Sequence, residues 1–200
     1  MDASKETHAT HELVERAKAG DEDAYDRLFD RVADRLLLYT RVRMGKSLRR
    51  HADPLDVVQE SYLEAHRSFG GFEAHESDSF TRWIFRVVDN RIRDLAKHYG
   101  SKKRSPLGGL VHDSQALRQL RQDHAGPLTS VERRERHERL VNAMDELEPE
   151  EREALLLQYF RRLTLAEISV SLGRSQATIS RLLGRARLRL GMALAPHDDA

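Results

Sequence analysis

Residues 163–190 read LTLAEISVSLGRSQATISRLLGRARLRL, and their spacing spells two helices joined by a tight turn. Thr164, followed three residues later by Glu167, has the pattern of a capping box: hydroxyl and carboxylate each satisfy a free backbone N–H at the helix start. Leu165, Ile168 and Leu172 predict a buried face for the first helix. Gly173 permits the left-handed geometry that ends it, Ser175 is placed to cap the next helix, and Ile179, Leu182, Leu183 and Ala186 return at helical spacing. That pattern is a helix-turn-helix, whose second helix enters the DNA major groove and touches base edges with its N-terminal half.

The charge along this stretch points the same way. The chain of 200 residues carries 34 Lys and Arg against 33 Asp and Glu, a formal net charge of +1. Yet residues 173–191 hold five arginines and no acid, while acids crowd Asp145 to Glu153. A helix held against a polyanion gains from each arginine that replaces a condensed counterion, and arginine grips guanine O6 and N7 in a bidentate way. Ser175, Gln176, Thr178, Ser180, Arg181 and Arg185 lie where base or phosphate contacts are expected. The competing explanation is an amphipathic helix with a solvated basic face. Cap, glycine turn, spacing and absence of acid favour the DNA reading.

Elsewhere the periodicity is helical, with no convincing alternation of period two, so an all-α protein is expected. After Gly20, the acids Asp21, Glu22 and Asp23 suit a helix N-terminus, and Tyr25, Leu28, Phe29, Val32, Leu36 and Tyr39 keep helical spacing up to a predicted stop at Gly45. A second helix opens at Asp53-Pro54, with Val58, Tyr62, Ala65 and Phe69 on one face before Gly70-Gly71. A third runs from about Ser79 to Tyr99, with Phe80, Ile84, Val87, Val88, Ile92 and Leu95 as its core stripe. Punctuation then thickens into a flexible linker over 105–130, with a short helix near Ser114 to Arg121. A charged helix through Leu140, Met144 and Leu147 and a further one in EREALLLQYF precede the helix-turn-helix. The expected plan is two small helical domains, 1–104 and 131–195, joined by that linker.

Several classes of function are disfavoured. No cysteine is present, which excludes disulfides, zinc-cysteine sites and thiol catalysis. No run approaches the roughly 20 apolar residues of a membrane span, and the N-terminal stretch lacks the apolar core of a signal peptide, so no membrane partner and a cytoplasmic location are expected. His8, His11 and Glu12 lie close together, but in what reads as a polar N-terminal tail with no third ligand, so no metal is expected there. No P-loop, GxSxG or HExxH pattern appears, and neither a cofactor nor an enzyme is expected.

Three stretches together carry a family resemblance: DPLDVVQESYLEAHRSFGGFE, FTRWIFRVVDNRIRDLAKHYGSKKR and LEPEEREALLLQYFRRLTLAEISVSLGRSQATISRLLGRARLRL. In this order, with no region 3 between them, they resemble a bacterial RNA polymerase sigma factor of the extracytoplasmic-function (ECF) type, region 2 first and region 4 second. The resemblance implies that the chain binds core RNA polymerase and promoter DNA and directs promoter-specific initiation. On that reading Asp53, Asp56, Gln59 and Glu60 match the segment that docks on the clamp helices of the β′ subunit; acids at 53, 56, 60 and 64 recur at helical spacing, as a basic partner helix would require. Trp83, Arg86, Asn90, Arg91, Arg93 and Lys97 match the segment that recognises and opens the minus-10 element. Residues 79–104 hold eight Lys or Arg against two Asp, so this helix and its basic exit can follow a phosphate backbone. Asn90 has both a donor and an acceptor for an extruded base, and Trp83 and Phe85 are candidates for aromatic surface, although plain core packing is the favoured explanation for Trp83. Region 4 resembles the reader of the minus-35 element and a contact to the β flap. Ser180, Leu183 and Gly184 depart from better-known relatives, so base preference does not carry over. An anti-sigma factor is common in the family, and the sequence identifies none. The rival from another class is an autonomous helix-turn-helix regulator that binds duplex DNA without polymerase.

Overall fold

The computed structural model describes residues 3–73, 79–100 and 129–195. Every regular element among them is a helix, as the periodicity predicts. The chain divides into two units, Met1–Ala125 and Gly126–Ala200, and each is taken by itself. Most of the expected linker, its short helix near Ser114 to Arg121 and the basic residues 102–104 lie outside the described residues.

The first unit begins with a helix where a polar tail was expected: α1, Ala3–Lys18. Leu13 and Val14 are buried, Arg16 pairs with Asp21 at 2.7 Å and Arg31 of the next helix donates to Thr10 at 2.8 Å. Two adjacent apolar residues were too little pattern to reveal it. Helix α2, Glu22–Arg49, starts as predicted: the Asp21 carboxylate accepts from the Ala24 N–H. That bond, then the Arg16 guanidinium, holds the Asp21 carboxyl below its ordinary range. Gly45 breaks the helix with φ 61° and ψ 171°, but does not stop it. One more turn follows and buries Leu48.

Helix α3, Pro54–Ser68, has Asp53 as its cap, accepting from Leu55 N–H at 2.8 Å, and Pro54 in its first turn. A 3-10 turn, Phe69–Gly71, closes it. Helix α4 spans Ser79–Gly100. All the apolar residues predicted for the three stripes of this unit are buried, each fully enclosed Leu, Ile or Phe contributing about 1.5–3 kcal/mol by its transfer from water. Tyr25, Phe29 and Tyr62 pack edge to face with ring centres 4.9–5.2 Å apart. Tyr25 donates to the carbonyl of Tyr62, whose own hydroxyl donates to Asp26.

The second unit contains α5, Thr129–Asp145, and α6, Pro149–Leu155. Helix α6 runs into a π-helical turn, Leu156–Phe160, in which Arg161 N–H reaches back to the Leu156 carbonyl. Helices α7, Leu165–Leu172, and α8, Gln176–Leu194, form the helix-turn-helix. Ile168, Ile179, Leu182, Leu183 and Ala186 are buried beside Met144, Leu147 and Leu155–Leu157. Leu165, expected in the buried face, is 37% exposed, and Leu172 is half-buried. A helix of eight residues meets its neighbour over about one turn, so only its central position is enclosed.

Candidate nucleic-acid interface

The turn between α7 and α8 is held by its own side chains. Thr164 Oγ1 accepts from Glu167 N–H and the Glu167 carboxylate accepts from Thr164 N–H, the predicted capping box. Gly173 adopts φ 62° and ψ 37°, a left-handed conformation that strains any residue with a Cβ. Ser169 donates to the Arg174 carbonyl, and Ser175 Oγ accepts from Thr178 N–H at 3.2 Å. The start of α8 is thereby fixed. Ser175, Gln176, Ser180, Arg181 and Arg185 are exposed there, and Thr178 is half-buried.

The five arginines of this segment are not equivalent. Arg174 pairs with Glu150 at 2.7 Å. Arg185 Nε donates to Glu151 Oε1 at 3.0 Å and Arg189 Nη1 to Glu151 Oε2 at 2.9 Å. Arg187 donates to Gln158 at 2.7 Å, its guanidinium 5.8 Å from the Tyr159 ring centre. Arg181 makes only a long, 3.4 Å, hydrogen bond to Thr178 among the described residues. Glu150 and Glu151, in the first turn of α6, therefore act as counter-charges for Arg174 in the turn and for Arg185 and Arg189 on α8. Beyond Ala186 the helix carries exposed Leu188 and Met192.

On α4 the residues singled out from the sequence fall into two groups. Trp83, Arg86, Asn90, Arg93 and Lys97 follow helical spacing along one face, opposite Ile84, Val88 and Leu95. Arg86, Asn90, Arg93 and Lys97 are exposed; Arg93 donates to Asn90 Oδ1 at 2.9 Å, and Lys97 lies 3.6 Å from Asp94. Trp83 is half-buried against Phe69, Phe72 and Phe80, ring centres 5.1–6.0 Å away. Arg91 stands apart on the flank of the helix and forms an ion pair with Glu60 of α3. Phe85 does not add aromatic surface: it is fully buried, 4.8 Å from Tyr39. It falls on the side of α4 that packs against α2.

Beside Phe85, Asp89 was missed by sequence reasoning. It is buried and accepts from the Tyr39 hydroxyl at 2.5 Å and from Arg43 Nε at 3.2 Å. An acid within a basic helix was the available signal, but its partners lie 46 and 50 residues away.

Of the four positions singled out on α3, Asp53 and Asp56 are exposed, the first being occupied as a cap. Gln59 is turned into the core, 6% exposed, and Glu60 is committed to Arg91. His11 and Glu12 are exposed on α1, whereas the side chain of His8 lies outside the described residues. Among the described residues there is no group of three metal-ligating side chains, and no helix long and apolar enough to cross a membrane.

Comparison with known proteins follows the same two units. The family model for Sigma-70 region 2 matches residues 25–102, and that for Sigma-70, region 4 matches 137–190. The chain is 28% identical over 187 residues to the ECF RNA polymerase sigma factor BldN of Streptomyces coelicolor, across 94% of this chain and 66% of BldN. It is 32% identical over 171 residues to the ECF RNA polymerase sigma factor SigG of Mycobacterium tuberculosis, across 78% of this chain and 45% of SigG. It thus spans just under two thirds of the first relative and less than half of the second. The solved structure of CnrH in complex with the cytosolic domain of CnrY shares the fold, with a TM-score of 0.54 at 22% identity over 93% of this chain and 97% of that one. Two regions of one family, matched in order on a single chain and shared with ECF relatives, show that the protein belongs to the sigma-70 family of RNA polymerase sigma factors, in its ECF group.

Proposed function

We propose that this chain is a promoter-specificity subunit. It binds core RNA polymerase in the cytoplasm and directs initiation, with α8 reading the minus-35 element and α4 reading the minus-10 element and helping to open it. The observation that carries the proposal is the exposed stripe Arg86, Asn90, Arg93 and Lys97 on α4, in one unit, together with a capped recognition helix bearing exposed Arg181 in the other. Charge along α4 follows a phosphate backbone, while Asn90, two turns beyond Trp83 on the same face, offers an amide for a base taken out of the stack. Asp53 and Asp56 are the exposed acids for docking on the β′ clamp helices, with Glu60 and Gln59 supporting α3 from behind. The exposed Leu188 and Met192 suit the β flap. CnrH is known with the cytosolic domain of CnrY, and an anti-sigma factor is a further proposed partner here. RNA synthesis itself belongs to the polymerase, and this chain supplies no catalytic group.

The test is multi-round transcription with purified core polymerase, with and without the protein, on a library of genomic upstream fragments. Specific transcripts that require the protein support the proposal. Duplex binding by the protein alone, with no such transcripts, replaces it with the autonomous regulator. On a promoter so found, Arg181→Ala is expected to cost about 1–3 kcal/mol and to relax selectivity at one minus-35 position; an unchanged selectivity profile removes Arg181 from the reading set.

A further inference from the structure

Glu151 is 1% exposed, on a helix whose neighbouring Glu148 and Glu150 are at the surface. Burying an ionised carboxylate is unfavourable unless its oxygens are matched by charged donors. Here both are matched from one helix: Oε1 by Arg185 Nε and Oε2 by Arg189 Nη1. These arginines are one turn apart on α8, so the carboxylate is gripped by a single turn of the proposed recognition helix. The Arg185 side chain nevertheless remains 60% exposed. Its bond to Glu151 uses Nε, and among the described residues its two Nη groups make no hydrogen bond.

We infer that Glu151 is a positioning residue for DNA reading. It fixes the Arg185 guanidinium by its Nε edge and leaves the Nη groups pre-oriented for a base or phosphate, so that less side-chain freedom is lost on binding. It also offsets charge on Arg185 and Arg189. Attraction to any phosphate backbone falls, and discrimination between sequences rises relative to it. Glu151 itself touches no DNA. The inference rests on the minus-35 reading of α8.

The experiment is promoter binding by the full chain with core polymerase, on the selected promoter and on one with its minus-35 element scrambled, across a series of salt concentrations. Glu151→Gln keeps the shape and removes the charge. It is expected to lower the ratio of specific to scrambled affinity by about five- to tenfold and to steepen the salt slope by about one, as Arg185 engages phosphate while Arg189 keeps Glu148 at 3.9 Å. Glu151→Asp keeps the charge but withdraws the carboxylate by one methylene; it is expected to lower the ratio with the slope unchanged. A structural role alone would lower the melting temperature and weaken both sequences equally at constant slope, and that result overturns the inference. Should Glu151→Gln fail to fold by circular dichroism, an unchanged ratio in Glu151→Asp overturns it instead. If the unmutated protein itself does not distinguish the scrambled element, the minus-35 reading falls first.

Discussion

Asp89 and Glu151 are the two buried acids among the described residues, one in each unit, and they are connected in opposite senses. Asp89 belongs to the basic helix α4, and its partners Tyr39 and Arg43 belong to α2 behind it. Glu151 belongs to the supporting helix α6, and its partners Arg185 and Arg189 belong to the basic helix α8. The first arrangement leaves the outer charges of α4 untouched. The second subtracts from the outer charges of α8. Counting arginines along a helix therefore overstates its attraction for a polyanion when the counter-charge is buried beneath that helix, and not when the buried acid is its own.

The contrast can be broken at Asp89. Asp89→Ala removes the acceptor of the enclosed Tyr39 hydroxyl and the partner of Arg43, and it is expected to destabilise the first unit by about 2–4 kcal/mol in urea unfolding. Binding to a minus-35 fragment should not move. A loss below about 1 kcal/mol would show that α4 does not depend on its buried acid. In the second unit a backbone conformation sets a further local constraint. Gly173→Ala places a Cβ that meets nothing within 4 Å, so the left-handed backbone alone should cost about 1–2 kcal/mol. A neutral result would mean that the turn tolerates another conformation.

The smallest effect sharpens the contrast, because it concerns an acid near the surface. Partial burial, then the neighbouring Asp26, pushes the Asp30 carboxyl above its ordinary range. Between its unfolded and raised folded pKa the native state holds more protons, so stability falls as pH rises through that window and stays lower at neutral pH. Asp30→Asn should stabilise by at most about 0.5 kcal/mol at pH 7, since water screens the group, and by nothing at pH values below the unfolded pKa. A gain that persists in acid would point to a cause other than charge.

What the sequence made legible was local. Asp53-Pro54, the Thr164 to Glu167 box, Gly173 and Ser175 each act within a few residues, and each performs the predicted task. The apolar stripes of α2, α3 and α4 were equally clear because one period governs many positions. The pairing of Arg185 with Glu151, 34 residues away, follows from how helices cross, which no spacing encodes. The same holds for Glu60 with Arg91 and for the inward turn of Gln59. Phe85 and Leu165 were misplaced for a related reason: residues at the edge of a stripe are enclosed or exposed according to the neighbour they meet.

The break at Gly45 gives α2 two lifetimes. Before it, the amides around Leu28 to Val42 lie among buried side chains and exchange with solvent only when the whole unit opens. After it, one turn ends the helix, with Leu48 buried and Arg49 reaching back to the Arg41 carbonyl, and a terminal turn opens more readily than a helix interior. Hydrogen exchange should be fast from Lys46 to Arg49 and slow before Gly45, so the end of α2, and with it the approach to Asp53, is where the first unit begins to come apart.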